Sequence, residues 1–250
     1  MQIAIYIFVF YFGALLTSFA HLIAVRLPKN ITIKGHSQCD HCQAPLKIYD
    51  VLPIFSYLIN KGVCRLCGQK ISKQYILLEI IGGSLFLFAL IHHGWTFQAL
   101  FFAIFIWVML VETISDFTEQ IVIDRIWMIG MIPMLIITLI EQTFLDHLVS
   151  GLLMFFVMFS IAYLANRFTK KEAMGGGDVK LYAFVGFFLQ WQTALLSLFI
   201  ASLIGFIYGK IKLAKNQRHL PFVPFIFAGA IIAYLWGHSM IEWYLELLRM

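Results

Sequence analysis

The chain has 250 residues, of which 61% are hydrophobic and only 12% are charged, and its formal net charge is +5. A soluble domain carries about 25% charged residues, so this composition excludes an ordinary water-soluble enzyme or binding module. Apolar runs of about twenty residues recur along most of the sequence, separated by short polar stretches, which is the pattern of membrane-spanning helices.

The first apolar run covers residues 3–25. As a helix it would be roughly 34 Å long at 1.5 Å per residue, enough to cross the hydrocarbon core of a bilayer. A cleaved signal peptide is the alternative, but Arg26 and Lys29 follow the apolar run instead of preceding it. We therefore predict a first transmembrane helix over residues 1–25.

A polar stretch over residues 26–75 contains every cysteine of the chain, in two C-x2-C pairs. The four cysteines are Cys39, Cys42, Cys64 and Cys67. This spacing suits tetrahedral thiolate ligation of one Zn²⁺, and a site closed by four sulfurs is structural because it leaves no position for water. Gly68, directly after the second pair, allows the tight turn that such a knuckle uses.

Two disulfides or four free thiols are the alternative states of these cysteines. Disulfides conflict with a position on the reducing, cytoplasmic side of the membrane. His36 and His41 lie nearby, but four thiolates already complete a zinc shell, so neither is predicted as a ligand. We therefore predict a cytoplasmic zinc-knuckle loop over residues 26–75.

Seven further apolar segments follow, which makes seven or eight spans depending on whether the short sixth one crosses or only dips in. They cover residues 76–91, 97–114, 126–140, 148–168, 179–189, 194–208 and 222–236. The predicted fold class is thus all-α, a polytopic membrane helix bundle with a cytoplasmic zinc-knuckle loop. Residues 76–250 form its membrane core.

Orientation follows from the basic residues. With the N-terminus outside, all but one of the 18 Lys and Arg, including Lys170 and Lys171, lie on inner segments or at span ends beside them. The exception is Arg249. This distribution obeys the positive-inside rule and explains the net charge, so no nucleic-acid partner is predicted. The positive inner face is expected to contact anionic lipid headgroups instead.

Two carboxylates stand at the inner ends of predicted spans. Asp116 follows the third span, and Asp178 ends a run of three glycines. An ionisable group in apolar surroundings is costly and therefore indicates function. Two carboxylates that meet can share a proton, so that one activates water while the other polarises a carbonyl, as in aspartyl proteolysis. A helix cap at each aspartate is the alternative, since spacing alone does not bring them together.

The glycines before Asp178 are Gly175, Gly176 and Gly177. Having no side chains, they are predicted to unwind the start of a helix and to let an extended peptide backbone approach. Glu79 and Glu112 are candidate auxiliary acids or interface residues, and Asp124 is predicted to be the N-cap of the fourth span. The histidines His21, His92 and His93 are expected at the interface.

Several stretches carry a family resemblance along nearly the whole chain. They are residues 18–28, the two cysteine pairs around residues 49–58, residues 71–79, Asp116, the Gly-x-Gly-Asp motif at Gly175 to Asp178, and Pro221-Phe-Val-Pro-Phe225. In this order they resemble the bacterial prepilin leader peptidases, the membrane GxGD aspartyl proteases of type IV pilus, type II secretion and competence systems. The compact length is most similar to the competence enzymes of Gram-positive bacteria.

The resemblance implies an aspartic endopeptidase with Asp116 and Asp178 as its catalytic pair. Its substrates would be prepilin-like or pseudopilin precursors, cut at the cytoplasmic face after a short basic leader. The resemblance also implies N-methylation of the new amino terminus with S-adenosylmethionine, although the sequence shows no glycine-rich nucleotide loop. Two departures are Ile123, where the family usually has proline, and Thr118, where a second acid is common.

Two other classes of function remain open from the residues alone. A transporter or ion-coupled channel could use Asp116 and Asp178 to relay a cation, but it predicts acids at the bilayer midplane and repeated halves, and no repeat is present in the sequence. A membrane adaptor could recruit a partner through the cysteine loop, and both aspartates would then be dispensable.

Overall fold

A computed structural model describes residues 2–39, 41–169, 175–213 and 221–249. Within these ranges the regular structure is nine α-helices and one short 3₁₀ turn at Ile48–Asp50, without strands. The helices are α1 Gln2–Arg26, α2 Phe55–Ile59, α3 Lys73–His93, α4 Phe97–Glu119, α5 Asp124–Ile140, α6 Phe144–Thr169, α7 Gly176–Leu189, α8 Trp191–Leu213 and α9 Val223–Arg249. The all-α prediction is confirmed, while Lys170 and Lys171 lie outside the described residues.

Six helices of the described ranges are long and apolar enough to cross a membrane. They are α1, α3, α4, α6, α8 and α9. The protein is therefore a multi-pass membrane protein. Seven of the eight predicted spans fall within helices, and the last begins one residue before α9. Helix α5 has 17 residues and α7 has 14, fewer than the roughly 20 that a straight span needs. The number of crossings depends on these two helices.

Several helix ends differ from the predicted span boundaries because capping and polar pairs extend a helix beyond its apolar run. Helix α3 begins at Lys73, where the hydroxyl of Ser72 accepts a hydrogen bond from the Gln74 amide at 3.3 Å, and it ends before Gly94, whose φ is +66°. Helix α9 continues far past residue 236. Its polar extension includes a contact between side chains one turn apart, with His238 Nε2 lying 3.1 Å from Glu242 Oε1.

The chain divides into two compact units, residues 1–114 and residues 115–250. In the first unit α1 packs along α3. A Cβ atom at Gly82 would lie 2.7 Å from Cβ of Thr17, so a glycine is needed where the two helices approach closely. Trp107 of α4 donates its indole N–H to the carbonyl of Leu16 at 3.1 Å, which ties α4 to α1.

In the second unit α6 packs on α7 and α8 packs on α9. His147 Nδ1 lies 2.5 Å from the carbonyl of Phe187, and Gly151 lies beside Ala183, so α6 and α7 run in opposite directions. Helix α7 also contacts α5, α8 and α9, and it is buried along nearly its whole length after Asp178. The short helix is therefore enclosed by the longer ones.

Candidate active site and metal centre

Asp116 lies in the last turn of α4, and only 7% of its surface is exposed. Its Oδ2 atom accepts a hydrogen bond from the backbone N–H of Val223 at 2.8 Å. Val223 is the first residue of α9, and the free amides at a helix N-terminus carry partial positive charge. The carboxylate is thus buried but oriented by a helix end.

Asp178 lies in the first turn of α7 and is half-buried. Its backbone amide donates to the carbonyl of Gly175 at 3.2 Å. The carboxyl group lies close enough to Asp116 for the two charges to interact. The structure therefore brings together two acids that are far apart in the sequence, and it does so within one compact unit.

The glycine run differs from the prediction of an unwound helix start. Gly176 and Gly177 already belong to α7, and none of the three glycines has a positive φ. A Cβ atom at Gly177 would lie 2.7 Å from Cβ of Val122, whereas a Cβ at Gly176 would meet no atom within 4 Å. Gly177 is therefore needed for packing, and Gly175 and Gly176 leave open space beside Asp178.

This contrast gives a test at neighbouring positions. We expect Gly177→Ala to lower the free energy of unfolding by about 1–3 kcal/mol, because the added methyl overpacks against Val122. Thermal unfolding of the purified protein in detergent measures the effect. Gly176→Ala is the matched control, since it adds the same methyl group to open space. Equal melting temperatures for the two variants would contradict the packing role.

The prediction that Asp124 is an N-cap is wrong. Ile123 occupies the cap position, and Asp124 is the first helical residue of α5. Its carboxylate accepts hydrogen bonds from Lys180 Nζ at 2.6 Å and from the Trp127 indole at 3.3 Å. Lys180 follows Asp178 by two residues, so the pair connects the starts of α5 and α7. Exposed ion pairs contribute only about 0–1 kcal/mol, so its main effect is orientation.

Two features near the aspartates were missed by sequence reasoning. The first is the Val223 amide, although a proline close to the start of an apolar run, here Pro224, is a recognised helix-start signal. The second is Tyr182, which is completely buried one turn after Asp178 on α7 and interacts electrostatically with it. No local pattern distinguishes Tyr182 from the other aromatic residues of apolar runs.

The candidate auxiliary acids and the histidines predicted at the interface make contacts with other parts of the chain or are buried. Glu79 accepts a hydrogen bond from the Ile54 amide at 2.8 Å, which anchors the loop before α2 to α3. Glu112 is fully buried in α4. The His21 ring packs against Tyr75 with centroids 4.5 Å apart, and His92 packs against an aromatic ring of the same helix.

The four predicted metal ligands form a cluster. The sulfur atoms of Cys39, Cys42, Cys64 and Cys67 all lie within 4.8 Å of one another, and the four cysteines are free thiols. Cys39 Sγ and Cys67 Sγ are 3.9 Å apart. Tetrahedral Zn²⁺ with bonds of about 2.3 Å separates its sulfurs by roughly 3.8 Å, so the cluster fits a four-thiolate metal site.

The two cysteine pairs adopt the same turn. The amides of Gln43 and Gly68 donate to the carbonyls of Cys39 and Cys64 at 2.9 and 2.8 Å. Gln43 has a φ of 55° and Gly68 a φ of 71°, so both turns need a left-handed residue directly after the second cysteine. Only Gly68 was recognisable from the sequence, because glutamine seldom adopts this conformation.

Hydrogen bonds from backbone amides favour the thiolate forms of Cys64 and Cys67. The amides of Cys67 and Leu66 lower the pKa of the Cys64 thiol to about 7. The Gln69 amide acts in the same direction on Cys67, but burial and the three other thiols raise the pKa of Cys67 to about 11. Four thiolates cannot coexist without a positive charge among them, and a divalent cation supplies that charge.

Comparison with protein families gives two matches along the chain. Residues 11–93 match the bacterial peptidase A24 N-terminal domain, and residues 103–210 match the type IV leader peptidase family. The first region contains the cysteine cluster, and the second contains both Asp116 and Asp178.

Curated relatives match over most of the chain. A protein of Bacillus subtilis named prepilin leader peptidase/N-methyltransferase is 33% identical over 95% of this chain and 97% of its own length. Proteins of the same name from Legionella pneumophila and Stutzerimonas stutzeri are 32% and 29% identical, over 84% and 86% of this chain and 75% and 76% of their own. No solved structure matches the chain.

Proposed function

Since the chain belongs to the type IV leader peptidase family, we propose that it removes the leader peptide from prepilin-like precursors and methylates the new amino terminus. The observation that carries the peptidase half is the proximity of Asp116 and Asp178 beside the open positions Gly175 and Gly176. The methyl-transfer half rests on the names of the relatives.

The peptidase reaction needs one ionised and one protonated carboxyl group. The ionised aspartate takes a proton from water, and the resulting hydroxide adds to the scissile carbonyl carbon while the protonated aspartate donates to its oxygen. The carbon–nitrogen bond then breaks, and the leaving amine receives a proton. The hydrogen bond from the Val223 amide to Asp116 Oδ2 holds that carboxyl group in place at the start of α9.

We propose that the catalytic pair lies on the cytoplasmic side of the membrane, with the N-terminus outside. The support is the positive-inside distribution, in which all but one of the 18 Lys and Arg fall on inner segments or at adjoining span ends. A pilin helix lies in the bilayer with its leader inside, so a site at the inner surface meets the scissile bond without moving a charged leader into lipid. The basic inner face suits anionic lipid headgroups rather than nucleic acid.

We further propose that the cysteine cluster holds a structural Zn²⁺. Cys39, Cys42, Cys64 and Cys67 would be its ligands, and a closed four-thiolate shell leaves no position for a reacting water. The ion would crosslink the two equivalent turns and so hold the loop of residues 26–75 in one conformation. Its contribution is to folding and not to peptide hydrolysis.

The substrate class we favour is the pseudopilin precursor of a competence system. The Bacillus subtilis relative and this chain cover one another almost completely, as expected for enzymes of the same compact build. No observation favours ion transport, since the two family matches cover the aspartates and the cysteine loop with peptidase domains.

Processing of a pilin-like precursor by membranes that contain this protein tests the proposal. We expect mass spectrometry to find the product without its leader and, when S-adenosylmethionine is supplied, with the mass of one added methyl group. Omitting S-adenosylmethionine is the control, because the product should then be cut but unmethylated. A precursor that stays intact although the protein is present in the membranes would contradict the proposal.

A further inference from the structure

One stretch of the cysteine loop is apolar, although the loop as a whole is polar. Residues 51–59 contain no charged side chain, and Asp50 and Lys61 are the charged residues that flank them. The stretch is less than half as long as the roughly twenty residues that a membrane-spanning helix needs. Short apolar runs belong instead to buried cores or to re-entrant segments, which enter and leave the bilayer on the same side. The exposure of the side chains distinguishes these two cases.

The apolar side chains at the end of this stretch are not covered by the protein. Phe55, Leu58 and Ile59 are each more than half exposed. The polar side chains of Ser56 and Tyr57 line a cavity that α1, α3 and the cysteine loop enclose. A core segment would bury its apolar groups, whereas this one turns them outward and its polar groups inward. Such an arrangement suits a surrounding of lipid acyl chains.

Phe55 lies beside the middle of α1, within the same compact unit. Its ring centroid is 5.4 Å from that of Tyr11. A span of about twenty residues that starts at the first residue of α1, Gln2, places Tyr11 about 15 Å from the boundary on the side of the cysteine loop. A span that starts later in α1 makes this depth larger. Because the two rings are much closer to each other than Tyr11 is to that boundary, Phe55 lies within the hydrocarbon region.

The deepest part of the stretch is a strained turn that α3 holds. The Phe55 amide donates to the Pro53 carbonyl at 2.6 Å across Ile54, whose φ is 63° and ψ is −53°. This γ-turn is rare, above all for a β-branched residue, and persists only where the surroundings fix it. The Ile54 amide donates to Oε2 of Glu79, in the second turn of α3, at 2.8 Å. A backbone donor at membrane depth needs such a partner because no water is available there.

We propose that residues 51–59 form a re-entrant segment that enters the bilayer from the side of the cysteine loop, turns at Ile54 and returns. Its side chains Phe55, Leu58 and Ile59 contact lipid acyl chains and continue the exposed apolar surface of α1. The segment attaches the cysteine loop to the membrane, and this attachment does not depend on the metal or on either proposed reaction. Glu79 is its positioning residue.

Photolabelling from the lipid side tests the segment in the wild-type protein. The full, zinc-containing chain is reconstituted in vesicles of phosphatidylethanolamine and phosphatidylglycerol, with a trace of phosphatidylcholine that carries a diazirine on an acyl chain. Trypsin cuts after Lys47 and Lys61, so residues 48–61 are recovered as a single peptide. The tryptic peptides of residues 35–47 and 66–70 come from the same loop and are the matched controls.

We expect the peptide of residues 48–61 to carry label at a level similar to that of peptides from the membrane-spanning helices, and severalfold above both controls. Label no higher than on the controls would overturn the re-entrant segment. Addition of a pilin-like precursor that cannot be cut should leave the labelling unchanged. If the precursor instead removes the label from residues 48–61, the surface binds the precursor's hydrophobic helix and the assignment to lipid fails.

Two substitutions test the positioning role of Glu79. Glu79→Gln keeps an oxygen that can accept from the Ile54 amide, whereas Glu79→Ala leaves that amide without its acceptor. We expect Glu79→Ala to lower the label on residues 48–61 severalfold and Glu79→Gln to be labelled like the wild type. Equal labelling of the two variants would contradict this role. Loss of zinc from Glu79→Ala would indicate a wider folding defect, and the labelling of the wild type then decides the proposal by itself.

Discussion

Asp116→Asn and Asp178→Asn are each expected to lower the rate of leader cleavage by roughly 10³- to 10⁴-fold while leaving the fold intact. Each change removes one carboxylate of the pair and preserves the size of the side chain. In Asp116→Asn the new side-chain amide keeps an oxygen that can accept from the Val223 amide, so the contact between the ends of α4 and α9 should persist. The loss would therefore report on chemistry rather than on packing.

Cleavage of a pilin-like precursor by membranes with matched amounts of each variant is the measurement. Asp146→Asn serves as the control, because it removes an exposed carboxylate from the same unit without affecting the pair. If either variant cuts at the wild-type rate, that aspartate is not catalytic.

Removal of the metal should have the largest effect on stability. Structural zinc sites contribute about 10–16 kcal/mol in small peptides, and without the ion nothing offsets the repulsion among four clustered sulfurs. We expect Cys39→Ser or Cys64→Ser to abolish zinc binding and to leave the loop of residues 26–75 sensitive to protease. The long membrane helices should remain resistant, because their apolar surfaces stay in lipid.

Limited proteolysis of inverted membrane vesicles, combined with zinc analysis of the purified protein, measures this effect. His41→Ala is the matched control. It removes an imidazole, a group that can bind zinc, next to Cys42, but His41 does not belong to the cluster of four sulfurs. Its zinc content and protease resistance should equal those of the wild type. A verified zinc-free protein with a fully resistant loop would refute a structural role for the metal.

Much of this protein could be predicted from local sequence because the relevant physics is local. Transfer of a helix into lipid depends on the apolar character of about twenty consecutive residues, and each of the eight predicted spans corresponds to one helix. The cysteine cluster could be predicted for the same reason. Each pair, such as Cys64 and Cys67, sits within a single tight turn whose spacing already matches a metal shell.

The ends of helices were predicted less well. An apolar run does not include the polar turns that continue a helix, so α9 extends beyond the predicted span. Asp124 is a residue type favoured at N-caps, but it is the first helical residue of α5, and its carboxylate accepts a hydrogen bond from Lys180. That pairing joins residues 56 positions apart, and no local propensity contains it.

The amino-acid sequence by itself determined that this is a membrane protein and where its helices lie. It also determined the metal-binding pattern and which two acids are the catalytic candidates. The folded chain was needed to show that Asp116 and Asp178 lie close enough to interact electrostatically and that the Val223 amide holds one of them. The reason is that these features depend on which helix ends and loops pack together. Packing joins distant residues, whereas hydrophobic periodicity and turn chemistry are set by near neighbours.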